Sequence, residues 1–358
     1  MSRLAALRQH MAKAKVGGVL IGDEISASYL SGFDFSDGYL AVLADRAYLV
    51  TDFRYTEAAR AGVCEGFEVV EAKGGTLGEA LALLAKAECV AFEEEAVTVS
   101  LLERMKKLSD GKLRFVSGAS AWLAEMRQVK CEDELNCIEK AQAVTDAAFS
   151  HILGVMSPRM TEREVALELE FFMRGQGAEG MAFDVIAVSG SASALPHGVP
   201  RDIPLEKGFL TMDFGARVGG YCSDMTRTVV LGKADAEMRR LYDTVLLAQE
   251  EALAYLASGG RSGHDADAVA RAIIDGAGYK GAFGHSLGHG IGRLVHEAPR
   301  LSPSVAPGEL LCAGNVVSVE PGIYLGGRYG CRIEDMVAIT ETGIRNFTKS
   351  NKELIELF

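Results

Sequence analysis

The sequence predicts an α/β domain over residues 1–128, followed by an α+β domain over residues 129–358 that contains two similar halves. Two observations support this fold class. In the first domain, short apolar segments alternate with helical segments, which is typical of an α/β unit. In the second domain, the order helix, helix, β-hairpin occurs twice, although the two copies share negligible sequence identity. The repeated order indicates two similar halves packed together.

The first domain is predicted from its apolar segments. Residues 17–21 and 47–51 are predicted to be buried strands. The Ala- and Leu-rich residues 77–89 predict a helix, and a short strand follows at 90–92. No Gly-rich phosphate-binding loop follows any of these strands. The most charged stretch between apolar blocks is 124–134, and the domain boundary is placed there.

The second domain shows the repeated order more plainly. Residues 132–156 have a helical pattern, and Thr161 and Glu164 form a capping box at the start of a helix that reaches about residue 174. A strand pair is predicted across residues 208–230. The second copy comprises two helices, a Gly- and His-rich loop and another strand pair, at residues 234–257, 265–274, 284–292 and 316–339.

Composition and charge restrict the class of protein. The chain has 358 residues, of which 48% are hydrophobic and 24% charged, and its net charge is −12. This negative charge argues against a nucleic-acid groove, which needs a positive field. No apolar run long enough to span a membrane occurs, and the first residues lack the apolar block of a signal peptide. The seven cysteines form no CxxC pair, so free thiols in a reducing cytoplasm are expected.

The first predicted hairpin carries two aspartates. Asp213 lies in TMDFG and Asp224 in YCSDMT, with glycines between them. If the turn centres on Val218 and Gly219, the two aspartates lie directly opposite each other, with Cβ atoms about 5 Å apart. Facing carboxylates repel each other unless a cation lies between them. The alternative is a different register in which one aspartate is a turn residue, and this hairpin alone does not decide between the two.

The second predicted hairpin carries a matching pair of acids. Glu320 lies in VEPG and Glu334 in RIED, and a turn centred on Gly327 sets them opposite each other. Pro321 cannot donate a ladder hydrogen bond, which leaves this register open. Two such hairpins predict four carboxylates around one cavity. Divalent metals would relieve their repulsion in an oxygen-rich site of the two-metal type.

The histidines point to the same kind of site. Four of the seven lie in short segments rich in glycine or next to proline: His197 in LPHG, His285 and His289 in GHSLGHGIG, and His296 in HEAP. Glycines beside a histidine let the backbone and a ligand approach closely. One imidazole is enough to complete a mostly carboxylate metal site.

These segments resemble the pita-bread metallopeptidases of family M24. The order and local context of five residues are similar to the metal ligands of that family: Asp213, Asp224, His289, Glu320 and Glu334. The motifs LPHG, MDFG, SDMTRT, GHGIG, HEAP, VEPGIY and RIED resemble the branch containing Xaa-Pro aminopeptidase and Xaa-Pro dipeptidase, or prolidase. The resemblance covers residues 132–340. It implies a pita-bread catalytic domain, preceded by a creatinase-like α/β domain.

The resemblance implies a site with two divalent metals. Asp213 would bind one metal, His289 and Glu320 would bind the second, and Asp224 and Glu334 would bridge both. A bridging water would attack the peptide carbonyl as hydroxide. Glu320 would take the water proton and pass it to the leaving proline nitrogen. The ligand set suits manganese, cobalt, zinc or iron, of which manganese is expected.

The resemblance also implies residues that contact the substrate. His296 would stabilise the tetrahedral intermediate and His197 would contact the substrate on its proline side, both as catalytic residues. His285 would contact the substrate or orient its neighbours. Arg300 would hold the C-terminal carboxylate of a dipeptide, or is a solvated surface residue. Arg332 would contact the substrate or hold a ligating carboxylate.

The predicted function is therefore hydrolysis of the peptide bond before proline, by an aminopeptidase or a dipeptidase in the cytoplasm. The expected partners are proline-containing peptides and a second copy of the chain in a homodimer, but neither nucleic acid nor a membrane. The alternative is a non-catalytic binding module on the same fold. The intact ligand set argues against that alternative, and metal analysis of the purified protein distinguishes the two.

Overall fold

The structure is a computed structural model that describes residues 2–306 and 308–358. The chain divides into two compact units, Met1–Arg127 and Gln128–Phe358. Among the described residues, no helix combines the length and the apolar character needed to cross a membrane.

The first unit is built around one mixed β-sheet. Its helices are α1 (Arg3–Ala14), α2 (Glu24–Ser31), α3 (Phe53–Gly62), α4 (Thr76–Leu83), α5 (Val99–Leu108) and α6 (Ala119–Gln128). Its strands are β1 (Gly18–Ile21), β2 (Gly38–Leu43), β3 (Ala47–Thr51), β4 (Glu68–Glu71), β5 (Cys89–Phe92) and β6 (Arg114–Val116). The sheet order is β4–β3–β2–β1–β5–β6, and β2 is antiparallel to both of its neighbours.

Helices cover both faces of this sheet, as expected for an α/β domain. Val19 and Ile21 of β1 belong to the core formed with α1, α2 and α6. Leu20, between them, belongs to a second core formed with α4 and α5. This alternation follows from the period of two along a strand.

One predicted helix in this unit is too long. The sequence predicts a helix over residues 77–89, but α4 ends at Leu83, a short helical turn follows at Ala85–Ala87, and Cys89 already belongs to β5. Val90 pairs with Gly18 of the neighbouring strand. Strand pairing therefore overrides the helical propensity of the Ala-rich segment. The predicted strands at residues 17–21, 47–51 and 90–92 are confirmed within one residue.

The second unit contains two helix pairs and several sheets. Its helices are α7 (Glu132–Val155), α8 (Glu162–Gly175), α9 (Ala236–Ala257) and α10 (Gly263–Ile274). Its strands are β7 (Gly180–Met181), β8 (Ile186–Ser189), β9 (Gly208–Phe214), β10 (Ala216–Val218), β11 (Tyr221–Cys222), β12 (Met225–Leu231), β13 (Gly288–Gly290), β14 (Glu297–Leu301), β15 (Val316–Val319), β16 (Gly322–Leu325), β17 (Tyr329–Arg332), β18 (Asp335–Ile339), β19 (Ile344–Asn346) and β20 (Glu356–Leu357). The two larger sheets have the orders β20–β12–β9–β8 and β14–β13–β15–β18–β19.

The predicted repeat of two helices and a hairpin is confirmed. The first half has α7 and α8 before the β9–β12 pair, and the second half has α9 and α10 before the strands β15 to β18. The predicted capping box of α8 is also present. The Glu164 amide donates to Thr161 Oγ1 at 3.1 Å, and the Thr161 amide donates to Glu164 Oε2 at 2.7 Å. These bonds fix the start of α8.

The alternation along the strands directs the acids away from the helices. In β9, Met212 and Phe214 pack in the core formed with α7 and α8, so Asp213 between them points to the opposite face. In β15, Val319 packs in the core formed with α9 and α10, and Glu320 follows it directly on the other face. Each half therefore presents an acid on the face opposite its helix pair.

Candidate metal centre

The first hairpin has a different register from the predicted one. Asp213 pairs with Thr226, so Asp224 lies diagonally from Asp213 rather than directly opposite it. The predicted pairing is wrong because the turn is centred one residue later, on Gly219 and Gly220. Both glycines have positive φ, 58° and 73°, as the two central residues of a type I′ turn require. The two aspartates still share a face, because side chains two residues apart on a strand point the same way.

The second hairpin has the predicted register. Strands β16 and β17 pair around a turn that includes Gly327, and β15 pairs with β18 in continuous register with them. Glu320 and Glu334 lie between these strand segments and face each other. The prediction from the turn position is therefore confirmed, even though Pro321 precedes β16.

The arrangement of the acids fits metal binding. The ligand atoms of Asp224, His289 and Glu334 all lie within 4.8 Å of one another, and all three residues are buried. Asp213 and Glu320 line the same cavity. Asp213 Oδ1 and Glu334 Oε1 are buried without a hydrogen-bond partner in the described part of the chain. Because an unpartnered buried polar atom is costly, a cation is the natural partner for these oxygens.

Burial and mutual repulsion disfavour the charged form of three of these acids. Burial raises the pKa of Asp224 and of Glu334 well above their ordinary values, and the charges of the neighbouring acids raise both further. Burial also raises the pKa of Asp213, although the charge of Arg332 opposes this shift. Metal binding would favour the charged form and so oppose these shifts.

Glu320 differs from the other acids because it is paired with His289. Burial alone would raise the pKa of Glu320, but the hydrogen bond and the charge of His289 lower it to about 2. The two side chains are 3.1 Å apart, from Nε2 to Oε1. His289 Nδ1 lies 3.2 Å from the Gly290 carbonyl oxygen, so Nδ1 donates to the backbone and Nε2 faces the acids. Nε2 is therefore the atom with which His289 would hold a metal, in place of the proton it carries here.

Two hydroxyl groups that the sequence analysis did not identify hold the acids. Ser318 Oγ donates to Glu320 Oε1 at 2.9 Å, and Thr226 Oγ1 donates to Glu334 Oε2 at 2.8 Å. Ser318 is two residues from Glu320, and Thr226 is two residues from Asp224. The period of two along a strand would have identified both positions.

Arg332 contacts a predicted ligand directly. Its Nη2 donates to Asp213 Oδ2 at 2.6 Å, and the two side chains are only 4% and 13% exposed. Arg332 also donates to the Tyr324 hydroxyl at 2.8 Å, to Thr226 Oγ1 at 2.9 Å and to the Pro196 carbonyl at 3.3 Å. These contacts favour a role in holding the ligating carboxylate over a direct contact with substrate.

The predicted site residues surround one cavity of about 510 Å³. Its wall includes every residue named from the sequence as a ligand, catalytic group or substrate contact: His197, Asp213, Asp224, His285, His289, His296, Arg300, Glu320, Arg332 and Glu334. The rings of His289 and His296 are 4.3 Å apart. His285 contacts the Tyr324 hydroxyl through Nε2 and the Ser286 carbonyl through Nδ1, both at 2.9 Å. Both of its ring nitrogens are therefore engaged within the protein.

A helix side chain positions the Gly- and His-rich segment. Arg271 of α10 donates to the Phe283 carbonyl at 2.7 Å and to the His285 carbonyl at 2.9 Å. Asp267, one turn earlier, accepts from the Leu287 amide at 2.9 Å. A Cβ atom at Gly288 would lie 2.0 Å from the Ser318 carbonyl oxygen. Only glycine therefore allows the strand that carries His289 to approach β15 so closely.

Two family models match the chain. Residues 136–341 match Metallopeptidase family M24, and residues 3–129 match the Creatinase/Prolidase N-terminal domain. The chain therefore belongs to metallopeptidase family M24. It is a metal-dependent peptidase with a creatinase-like N-terminal domain and a pita-bread catalytic domain, and the predicted family and fold class are confirmed.

Similar proteins include both dipeptidases and aminopeptidases. A Xaa-Pro dipeptidase of Pyrococcus furiosus is 35% identical over 355 residues, which cover 99% of each chain. The structure of a Xaa-Pro dipeptidase from Bacillus anthracis has a TM-score of 0.94 and 39% identity, with 99% of each chain covered. That of an X-Pro aminopeptidase from Thermotoga maritima has a TM-score of 0.89 and 37% identity, with 97% of this chain and 100% of the other covered.

Proposed function

We propose that this chain hydrolyses the peptide bond before proline and uses two divalent metal ions. The observation that carries this proposal is the buried ligand cluster, in which two carboxylate oxygens have no hydrogen-bond partner among the described residues. The proline specificity is supported by the Xaa-Pro dipeptidases and the X-Pro aminopeptidase that the chain resembles along its length.

The two metals would be held by Asp213, Asp224, His289, Glu320 and Glu334. When bound, they polarise the scissile carbonyl and supply a nucleophile at neutral pH. The ligand set of four carboxylates and one imidazole suits manganese, with cobalt, zinc or iron as alternatives.

The remaining chemistry belongs to side chains of this protein. Glu320 would accept a proton from the attacking water and deliver it to the leaving nitrogen, as the family resemblance implies. Burial and the charge of His289 lower the pKa of His296. Neutral His296 then donates a hydrogen bond to the oxygen that gains negative charge in the transition state. His197 contacts the substrate on its proline side.

Arg300 bears on the choice between dipeptidase and aminopeptidase. Its side chain lines the cavity, and the residue pairs with His289 across the sheet. A guanidinium at this position is suited to the C-terminal carboxylate of a dipeptide. If the protein is a dipeptidase, we expect the wild type to cleave Ala-Pro much faster than Ala-Pro-Ala, and we expect Arg300→Ala to raise KM for Ala-Pro. An unchanged KM for Ala-Pro in Arg300→Ala would contradict this role.

Substrate selectivity gives a direct test of the proposed function. We expect kcat/KM for Ala-Pro to exceed that for Ala-Ala by about 10–200-fold, because an apolar pocket discriminates by this much between side chains differing by one or two carbons. The manganese-loaded protein is assayed on both dipeptides, with thoroughly demetallated protein as the control. Equal rates on the two substrates would reject proline specificity, and full activity without metal would reject the metal-dependent mechanism.

A cytoplasmic homodimer is the proposed state of the protein. The seven cysteines, all within the described residues, are free thiols, which suits a reducing compartment. The homodimer rests on the family resemblance, and light scattering of the purified protein tests it. The alternative of a non-catalytic binding module is not favoured, because family membership and the complete ligand set point to an enzyme.

A further inference from the structure

The loop that carries His197 has an exposed tip. We call residues 190–207, which connect β8 with β9, the His197 loop. His197 lines the cavity, but Leu195 and Val199 on either side of it are 58% and 79% exposed. A side chain on such a loop keeps a defined position only if the loop is anchored elsewhere.

The anchor is the carboxylate of Glu162 in the first turn of α8. This side chain is 0% exposed and accepts five hydrogen bonds. Ser189, directly before the loop, donates to Oε1 through its amide at 2.7 Å and its hydroxyl at 2.8 Å. Arg201, inside the loop, donates to Oε2 through its amide at 2.9 Å and Nε at 2.8 Å, and to Oε1 through Nη2 at 2.5 Å. Two parts of the loop region therefore meet on one carboxylate.

The charge of Glu162 makes this anchor strong. Burial alone would raise the pKa of Glu162, but the hydrogen bonds from Arg201 and Ser189 lower it, so the group is ionised at neutral pH. Two parallel bonds between a guanidinium and a carboxylate fix both distance and orientation. Arg201 also donates to the Ser189 carbonyl at 3.1 Å and to Glu206 Oε2 at 2.9 Å. Arg201 therefore joins both ends of the His197 loop by hydrogen bonds, in addition to its bonds to α8.

The connection from Arg201 to His197 is short and stiff. Three residues separate them, and one is Pro200, whose ring fixes φ. A Cβ atom at Gly198 would lie 2.9 Å from the Val188 side chain, so this part of the loop lies tightly against β8. Because few rotatable bonds separate the two residues, a shift of Arg201 would also shift His197.

We propose that Glu162 and Arg201 are positioning residues that fix His197 at the cavity wall and thereby set substrate affinity. Neither residue is part of the cavity wall, so neither touches substrate or metals. The inference rests on the proposed function, because it assigns the loop a role in binding the substrate of that reaction.

The kinetic test uses Arg201→Ala beside a matched control. We expect Arg201→Ala to raise KM for Ala-Pro by about 10-fold, because a displaced His197 would lose one hydrogen bond to the substrate. The fall in kcat should be smaller and the metal content unchanged. Arg201→Lys keeps the charge and one hydrogen bond, so it should recover part of the loss. Arg163→Ala, which removes only the exposed 3.7 Å pair with Asp202 between the same segments, should behave like the wild type.

Hydrogen exchange provides a readout that needs no activity. In Arg201→Ala and in Glu162→Gln, the amides of residues 195–201 should exchange faster, while those of β9 and β15 keep their wild-type rates. Wild-type KM with unchanged exchange would overturn the proposal. Faster exchange throughout the unit, with kcat lowered by as much as KM is raised, would also overturn it, since the residues would then serve stability alone. If the wild type fails to cleave Ala-Pro, the proposed function and the role in substrate affinity both fail, whereas a local change in exchange still identifies the anchor.

Discussion

Replacing Asp224 with asparagine is expected to abolish metal-dependent hydrolysis and, at the same time, to raise the melting temperature of the metal-free protein. Asp224 is buried beside Glu334 and Asp213, and burial followed by their charges raises its pKa well above the ordinary value. At neutral pH, such a group lowers the free energy of unfolding, whether it is kept protonated or left charged. Asparagine removes this cost but also removes one carboxylate of the proposed ligand set.

The free energy of unfolding of the metal-free protein is expected to rise by about 1 kcal/mol or more. In a domain of this size, each kcal/mol raises the melting temperature by about 2–4 °C. Calorimetry with and without manganese measures both effects. Manganese should raise the melting temperature of the wild type. Asp224→Asn should have the higher melting temperature without metal, and manganese should raise it little.

Asp335→Asn is a control for this experiment, because it should change the melting temperature in the opposite direction. The carboxylate of Asp335 is buried like that of Asp224, but it accepts from Arg227 Nη2 at 2.8 Å and from Lys352 Nζ at 3.1 Å. Asp335→Asn breaks a satisfied ion pair, so it should lower the melting temperature with and without metal. If Asp224→Asn also lowers the melting temperature of the metal-free protein and still gains normally from manganese, Asp224 is not a ligand.

The second large effect distinguishes His289 from His296. His289→Ala should reduce metal content, because His289 is the only imidazole in the proposed ligand set. His296→Ala should leave metal content nearly unchanged and lower kcat by about 10²–10³, the usual effect of losing one hydrogen bond to a transition-state oxyanion. Metal analysis and kinetics on both variants measure these effects.

The two rings are only 4.3 Å apart, so general damage to the segment would affect both variants alike. An empty site in His296→Ala with two metals in His289→Ala would mean that the two roles are exchanged. Two folded variants with full metal content and normal activity would contradict the whole arrangement.

The sequence predicts the acids of the site because their chemistry is local. Each acid lies in a short strand or directly beside one, and the position of each turn predicts which acids face each other. The observed register of the first hairpin follows from Gly219 and Gly220, because a type I′ turn favours such an adjacent glycine pair. The end of the helix predicted at 77–89 does not follow from local patterns, because it is set by pairing with a distant strand.

The supporting side chains are harder to predict than the ligands. Thr226 and Ser318 follow from strand periodicity, but the contact between Glu162 and Arg201 joins residues 39 positions apart. No local pattern in the sequence brings a helix start and a loop together. Such contacts depend on how the helix pair packs on the sheet, which only the folded structure shows.

Two hydrogen bonds between Thr226 and Glu334 connect the two halves of the proposed metal site. The Thr226 hydroxyl donates to Glu334, and the Glu334 amide donates to the Thr226 carbonyl at 3.1 Å, so these two bonds join the hairpins of the first and second halves. Asp213 and Asp224 come from one half, and His289 and the two glutamates from the other. A half folded by itself carries an incomplete set of ligands. The complete set of proposed ligands therefore exists only when both halves are joined, and a bound divalent ion would stabilise the protein against their separation.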